Sequence, residues 1–411
     1  MSAPATGWRP PPRPEWVADL ITSGETVGPL ALHPLDADEL VATATRVAGT
    51  DDFGGASWRT GFERLCTALT DEADLHAVGA ALTRAEILRT LVNRLRIVGS
   101  GPIPEQPINA PWVVCGTARS GTSILHELLA LDPDARVPRA WEVLDSVPAP
   151  NGPPDPLRVD RIDHELRHWD RITPEYLAMH ENGGALPTEC IFLTAHEFAS
   201  EHWSGVHDVP TYNKWMIGAD LRPAYEWHHR HLQWLGRHDA PDRQWVLKAP
   251  SHLGALTALF ASYPDAWILQ THRDPAATLP STISLMATLR WMRSNTVDVD
   301  RLSRTMVRGV AMLFAFVQEQ RADGTLPNER FVDVHFADLM RDPVGTLHGV
   351  YDHIGRAWPA GFDERIREYL AAKPRAKHGA HRYGLAEFGI DPVELRERYR
   401  PYTDFFHIES E

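Results

Sequence analysis

The chain has 411 residues and a formal net charge of −14 at pH 7. This length predicts one large domain or two, with ample material for a hydrophobic core. The negative charge argues against nucleic acid as a partner, because phosphate contacts need a basic surface. No apolar run is long enough to span a bilayer, and the start Met1-Ser2-Ala3-Pro4 lacks the basic and apolar regions of a signal peptide.

The cysteines Cys66, Cys115 and Cys190 lack the spacing of a metal site, and their odd number gives no disulfide framework. A reducing cytoplasm is therefore the predicted compartment, since intracellular thiols stay reduced.

The first part of the chain predicts helices. After a proline-rich stretch that ends at Pro14, helical periodicity is clearest from Ala85 to Leu95, and Gly99-Ser100-Gly101-Pro102 interrupts it. We predict an N-terminal arm and helical extension over residues 1–105, followed by an α/β domain over 106–411.

A glycine-bracketed loop follows the short apolar run Trp112-Val113-Val114-Cys115. Its sequence is Gly116-Thr117-Ala118-Arg119-Ser120-Gly121-Thr122-Ser123, and leucines at helical spacing come after it. This order predicts a strand, an anion-binding turn and a helix N-terminus, where backbone N–H groups and the helix dipole face an anion.

The loop differs from the phosphate loop of nucleotide kinases at one position. A kinase loop carries lysine directly after the second glycine, where it reaches the terminal phosphates. Here Thr122 occupies that position and the cation is Arg119. The loop thus predicts anion binding without the lysine on which ATP chemistry depends.

A segment from about residue 155 to 238 is rich in Trp, His and Tyr, and we predict a helical insertion that covers an acceptor pocket. Five tryptophans either line this pocket or pack in a core: Trp141, Trp203, Trp215, Trp227 and Trp234. The cluster His228-His229-Arg230-His231 predicts a solvated helix face and not a metal site, because adjacent residues of a helix point in different directions.

A strand-helix-strand unit comes next. The runs Gln244–Lys248 and Trp267–Arg273 predict strands, and apolar residues at helical spacing lie between them, with Ser251 as the predicted N-cap. Parallel strands present their carboxyl ends at one edge of a sheet, so Lys248, Arg273 and the glycine loop are expected around one crevice.

Together these motifs resemble sulfotransferases that use 3'-phosphoadenosine 5'-phosphosulfate. The glycine loop resembles the family's 5'-phosphosulfate loop, in which many members carry lysine in place of Arg119. Arg273, followed by Ser281 eight residues later, resembles the pair that clamps the cofactor's 3'-phosphate, and Lys248 stands where the family has its catalytic lysine. The likeness extends from roughly Asp51 to Phe406. It implies a three-layer α/β/α sandwich of the P-loop type with a central parallel sheet.

The resemblance also implies roles for particular residues. The 5'-phosphosulfate contacts are Arg119, Ser120, Gly121, Thr122 and Ser123, and the 3'-phosphate contacts are Arg273 and Ser281. A basic loop closing over the nucleotide adds Lys377, Arg382 and Tyr383 as cofactor contacts. Lys248 and Arg119 stabilise the leaving group, and no metal is required.

Sulfotransferases use histidine or glutamate as the general base, and three residues are candidates. His252 lies four residues after Lys248, whereas the small-molecule enzymes of the cytosol place their histidine two residues after the lysine. Glu142 lies nearly where protein-tyrosine sulfotransferases have their glutamate. His252 and Glu142 are equal candidates, and Glu189 ranks behind them.

Three functions compete at this stage. The first is sulfonate transfer to a hydroxyl or amine of a small-molecule or lipid-like acceptor. The second is a P-loop kinase or other phosphotransferase, against which Thr122 counts. The third is a non-catalytic member of the family that binds only nucleotide or a partner. Neither the acceptor nor the oligomeric state is determined by the sequence.

Overall fold

The structure, a computed structural model, describes residues 7–103, 105–147, 157–239, 243–373 and 384–411. Its centre is a five-stranded parallel sheet with the strand order β2-β3-β1-β4-β5. The strands are β1 (Trp112–Gly116), β2 (Ala135–Arg136), β3 (Gln244–Lys248), β4 (Trp267–His272) and β5 (Phe331–His335).

Both faces of the sheet are covered, as is usual for parallel strands. All five residues of β1 are buried. Val113 and Cys115 pack into one hydrophobic cluster, while Trp112 and Val114 pack into another on the opposite face, because successive side chains of a strand alternate. The predicted three-layer α/β/α fold is confirmed.

Helices make up most of the remaining structure. They are α1 (Glu15–Glu25), α2 (Pro29–Leu32), α3 (Ala37–Ala48), α4 (Ser57–Asp71), α5 (Ala77–Gly99), α6 (Thr122–Leu129), α7 (Ala140–Leu144), α8 (Arg158–Ile172), α9 (Ile191–Thr194), α10 (Glu201–Val206), α11 (Pro210–Ile217), α12 (Arg222–Gly236), α13 (Leu256–Ser262), α14 (Pro275–Trp291), α15 (Val299–Ala322), α16 (Phe336–Arg341), α17 (Pro343–Ile354), α18 (Phe362–Ala372) and α19 (Pro392–Phe405). Among the described residues, no helix combines the length and the apolar character needed to cross a membrane.

The N-terminal helices do not form a separate core. Phe62 and Leu65 of α4 lie in one hydrophobic cluster with Phe198, Trp203 and Tyr212, which belong to the helical region between β2 and β3. The N-terminal helices and that region therefore stabilise each other by burying a shared apolar surface. The division into domains at residue 105 stays a prediction, and α5 and β1 flank it.

Two local predictions were wrong. Ser251 is not a helix N-cap, because a 3-10 helix, Pro250–Ala255, follows β3 and α13 begins only at Leu256. His228 and His231, expected on a solvated helix face, are fully buried. The reason is that α12 is enclosed by its neighbours, packing against α13, α9 and the 3-10 helix Ala195–Glu197.

Candidate functional site

The predicted crevice forms where three neighbouring strands end. Lys248 is the last residue of β3, Gly116 the last of β1, and Arg273 follows β4 directly. Because β1 lies between β3 and β4 in the sheet, the glycine loop that leaves β1 is flanked by Lys248 on one side and Arg273 on the other. The sheet order thus brings the three predicted cationic elements to one edge.

Left-handed backbone conformations shape the glycine loop. Arg119 has φ +70°, Gly116 +143° and Gly121 +96°, a region that side chains with Cβ rarely adopt. A Cβ atom on Gly121 would lie 2.9 Å from the Phe336 ring. The N-terminal N–H groups of α6, which have no partner within the helix, begin directly after Gly121.

Ser120 anchors the loop to the sheet. Its fully buried hydroxyl lies 2.6 Å from the Thr117 carbonyl oxygen and 2.6 Å from Thr271 Oγ1. Thr271, in β4, was missed by sequence reasoning. Its only signal was its place near the end of the strand before Arg273.

Lys248 joins the loop to an acidic partner. Its Nζ donates to Glu189 Oε1 at 2.5 Å and to Ser123 Oγ at 3.3 Å, and the lysine side chain is buried. Burial would raise the pKa of Glu189, but the Lys248 ammonium and the neighbouring His180 and His126 together outweigh it, so the pKa lies below its usual value. The Cys190 N–H donates to the Lys248 carbonyl oxygen at 2.8 Å, which aligns the segment that carries Glu189 with the end of β3.

Arg119 points toward α14. Its Nε donates to Ser281 Oγ at 2.9 Å and its Nη1 to the Met179 carbonyl oxygen at 2.9 Å. Arg273 Nη1 donates in turn to the Arg119 carbonyl oxygen at 3.0 Å. The two arginines and Ser281 therefore form one connected group on the β4 side of the loop.

The guanidinium of Arg273 binds a carboxylate. Nε and Nη2 donate to the two Glu411 side-chain oxygens at 2.8 and 2.7 Å, and the guanidinium lies 3.9 Å from the centre of the Phe336 ring. The same bidentate geometry suits a phosphate group. Glu411 is thus an anion at the place where the sequence predicts the 3'-phosphate.

His252 lies deep in the protein. It belongs to the 3-10 helix after β3, it is 1% exposed, and its Nδ1 is 2.7 Å from the Tyr225 hydroxyl. Burial lowers the pKa of His252 to about 3. A base must reach the acceptor's proton, and this side chain has no exposed surface from which to do so.

Glu142 serves as an ion-pair partner. Its two carboxylate oxygens accept from Arg136 at 2.7 and 2.8 Å, and one of them also accepts from the Arg139 N–H at 3.0 Å as part of a capping box. Arg136 pairs in the sheet with Trp245, three residues before Lys248. The structure therefore holds Glu142 by the first half of β3, away from the strand end where Lys248 and the loop meet.

Of the predicted cofactor contacts, Thr122 and Ser123 lie at the start of α6, in the loop itself. Lys377, Arg382 and Tyr383 fall outside the described residues. Glu189, the lowest-ranked base candidate, proved to be the ion-pair partner of Lys248.

A parallel three-layer fold with an anion loop that lacks the kinase lysine defines a class of P-loop-type α/β proteins that bind phosphate-like groups. The family model described as "Sulfotransferase family" matches residues 111–360. The chain belongs to the sulfotransferase family.

Individual relatives agree. The chain is 26% identical over 275 residues to proteins named omega-hydroxy-beta-dihydromenaquinone-9 sulfotransferase Stf3 from Mycobacterium bovis and Mycobacterium tuberculosis, a match that covers 64% of this chain and 66%, just under two thirds, of each relative.

Two solved sulfotransferase structures share the fold over most of the chain. STF1 from Mycobacterium tuberculosis has a TM-score of 0.76 and 29% identity, covering 89% of this chain and 98% of that one. STF9 from Mycobacterium avium has a TM-score of 0.79 and 25% identity, covering 91% and 97%.

Proposed function

We propose that this protein transfers a sulfonate group from 3'-phosphoadenosine 5'-phosphosulfate to a hydroxyl, or an amine, of a lipid-like small molecule. The observation that carries the proposal is the contact of Lys248 with both Ser123 of the anion loop and Glu189. This contact supports catalytic roles for a cation and a carboxylate beside a loop-bound anion.

The donor set fits this cofactor. The N-terminal N–H groups of α6 and the hydroxyls of Thr122 and Ser123 would hold the 5'-phosphosulfate. Arg273 and Ser281 would hold the 3'-phosphate, and the carboxylate of Glu411 on Arg273 supports an anion at that point. Arg119 contacts Ser281, so we assign it to the link between the two phosphate subsites, in addition to the predicted leaving-group role.

When bound, the cofactor would supply a sulfonate whose sulfur–oxygen bond to the 5'-phosphate breaks as the acceptor oxygen bonds to sulfur. Lys248 would stabilise the charge that develops on the leaving phosphate oxygen. Glu189 would take the proton of the acceptor hydroxyl. Both groups are already in contact, so Lys248 needs only to turn from Glu189 toward the leaving oxygen.

Glu189 is the base that the geometry supports best. Its carboxylate is partly exposed and directly contacts Lys248, whereas His252 is enclosed and Glu142 is engaged by Arg136.

The relatives named above carry a menaquinone derivative in their name, and this supports a lipid-like acceptor. The aromatic residues of the helical region carry less weight than the sequence indicated. Trp203, Trp227 and Trp234 are buried within hydrophobic clusters, where they stabilise the fold. The acceptor class therefore rests on the relatives and not on an aromatic lining.

The test is a transfer assay with radiolabelled sulfate on the cofactor and a panel containing long-chain alcohols, a hydroxylated prenylquinone, phenols and sugars. Transfer to a lipid-like member supports the proposal. Tight binding of 3'-phosphoadenosine 5'-phosphate without transfer to any of them would favour the non-catalytic alternative. Magnesium-dependent ATP turnover would favour the kinase, which family membership and Thr122 oppose.

A further inference from the structure

Three buried side chains meet next to the Lys248–Glu189 pair. They are Cys190, which follows Glu189 in the chain, His252 of the 3-10 helix after β3, and His228 of α12. The cysteine sulfur and one ring nitrogen of each histidine lie within 4.8 Å of one another. None of the three side chains is more than 1% exposed.

The Nδ1 atom of each histidine lies within hydrogen-bond distance of a tyrosine hydroxyl. His252 Nδ1 is 2.7 Å from the Tyr225 hydroxyl, and His228 Nδ1 is 2.6 Å from the Tyr263 hydroxyl. The Nε2 atom of each ring is buried and has no hydrogen-bond partner among the described residues. Each ring is therefore oriented through Nδ1 and keeps Nε2 available.

Two buried ring nitrogens without a hydrogen-bond partner are unfavourable, because each has lost its hydrogen bonds to water on folding. A histidine that binds a metal through Nε2 commonly donates its Nδ1–H to a polar neighbour, which fixes the tautomer and the ring orientation. The two tyrosine hydroxyls provide such neighbours here. A cation between the rings would satisfy both Nε2 atoms.

We propose that Cys190 Sγ, His228 Nε2 and His252 Nε2 bind a zinc ion. Zinc takes thiolate and imidazole ligands at about 2.0–2.3 Å in a tetrahedron, which separates ligand atoms by roughly 3.3–3.6 Å. Because the ligand atoms now lie within 4.8 Å of one another, zinc binding needs a contraction of up to about 1.2–1.5 Å. Binding converts the Cys190 thiol into a zinc-bound thiolate and releases one proton, and a water molecule takes the fourth position.

The zinc ion would position the catalytic pair of Lys248 and Glu189. Cys190 is covalently next to Glu189, and its N–H already donates to the Lys248 carbonyl oxygen at 2.8 Å. His252 lies four residues after Lys248 in the chain, in the 3-10 helix that follows β3. A metal that joins Cys190 to His252 would hold the two segments that present Glu189 and Lys248 at a fixed separation, and His228 would tie both to α12.

The site is tested on the purified full chain by elemental analysis, followed by chelation and titration with Zn²⁺ and Co²⁺. We expect one equivalent of zinc per chain, a zinc-dependent rise in thermal stability, and a thiolate-to-cobalt absorption band with Co²⁺. Cys66→Ser is the matched control, because Cys66 is an equally buried cysteine of α4 outside the cluster.

Cys190→Ser should abolish the cobalt band and His228→Gln should weaken binding at least tenfold, while Cys66→Ser changes neither. Failure of the native chain to bind either ion with a Kd below about 10 µM would overturn the proposal, as would a cobalt band that survives in Cys190→Ser. Measurements on the native chain do not require the variants to fold. They also do not depend on sulfonate transfer, so this proposal and the proposed function fail separately.

Discussion

Lys248 Nζ and Glu189 Oε1 are 2.5 Å apart at the carboxyl end of β3. The two residues are 59 positions apart in the chain, and the Cys190 N–H to Lys248 carbonyl hydrogen bond brings their segments together. The contact with the Lys248 ammonium lowers the pKa of Glu189 and so favours its carboxylate form. The pair therefore presents a cation and a proton acceptor beside the anion loop.

Removing the Lys248 charge should lower turnover. For Lys248→Met we expect kcat to fall about 10²–10³-fold, the effect of losing a donor to a developing anion, with a smaller loss of affinity for 3'-phosphoadenosine 5'-phosphate. Steady-state kinetics and calorimetric titration measure the two effects. Lys214→Met, at an exposed position of α11, is the control, and equal activity in both variants would rule out the assigned role.

Parallel substitutions of Glu189 and Glu142 distinguish the roles of the two glutamates. Glu189→Gln should lower kcat about 10²–10⁴-fold, as expected for a lost general base, while the nucleotide still binds. Glu142→Gln should instead lower the melting temperature, because it weakens the ion pair with Arg136. If turnover per folded molecule collapses in Glu142→Gln and survives in Glu189→Gln, the assignment of the base is wrong.

Arg273 and Ser281 should favour nucleotides that carry a 3'-phosphate over nucleotides that lack it. Losing a hydrogen bond to a charged group costs about 1.5–3 kcal/mol, so Arg273→Ala should weaken 3'-phosphoadenosine 5'-phosphate binding by about 10–150-fold. Binding of adenosine 5'-phosphate, which lacks the 3'-phosphate, should change little. Equal losses for both nucleotides would place Arg273 elsewhere on the ligand.

The Glu411 carboxylate occupies the Arg273 guanidinium in the structure, where it would compete with a 3'-phosphate. Glu411→Gln should therefore tighten 3'-phosphoadenosine 5'-phosphate binding, by up to about fivefold because partly exposed ion pairs are weak. The effect should disappear in the Arg273→Ala background. Unchanged affinity in Glu411→Gln would show that the carboxylate does not occupy the phosphate position.

Asp333 should make the free energy of unfolding depend on pH in the acid range. Burial would raise its pKa, but hydrogen bonds from Arg321 and His272 outweigh burial and hold the pKa well below its usual value. A carboxyl with a lowered folded-state pKa stabilises above its unfolded pKa of about 3.9 and loses that contribution as the pH falls further.

Denaturant unfolding measures the effect. The difference in free energy of unfolding between the native protein and Asp333→Asn should be constant from about pH 7 to pH 5 and shrink below about pH 4. Asp19→Asn, at an exposed position of α1, should show no such trend. A difference that grows in acid would contradict the assignment.

The amino-acid sequence was sufficient to predict the class of fold and the anion loop. Both are local properties: an apolar strand such as Trp112–Cys115, the glycines that allow left-handed backbone, and the helix after them follow one another within a few residues. The positions of Lys248 and Arg273 followed as well, because parallel strands must end at one edge of the sheet.

Which side chains meet at the site depends on the packing of distant segments. His252 was as good a base candidate as Glu142 in the sequence, yet the packing of α12 against α13 encloses it, and Arg136 engages Glu142. The same packing buries His228, which the sequence had predicted on a solvated helix face. Burial and pairing depend on segments that are far apart in the chain, so local sequence patterns do not predict them.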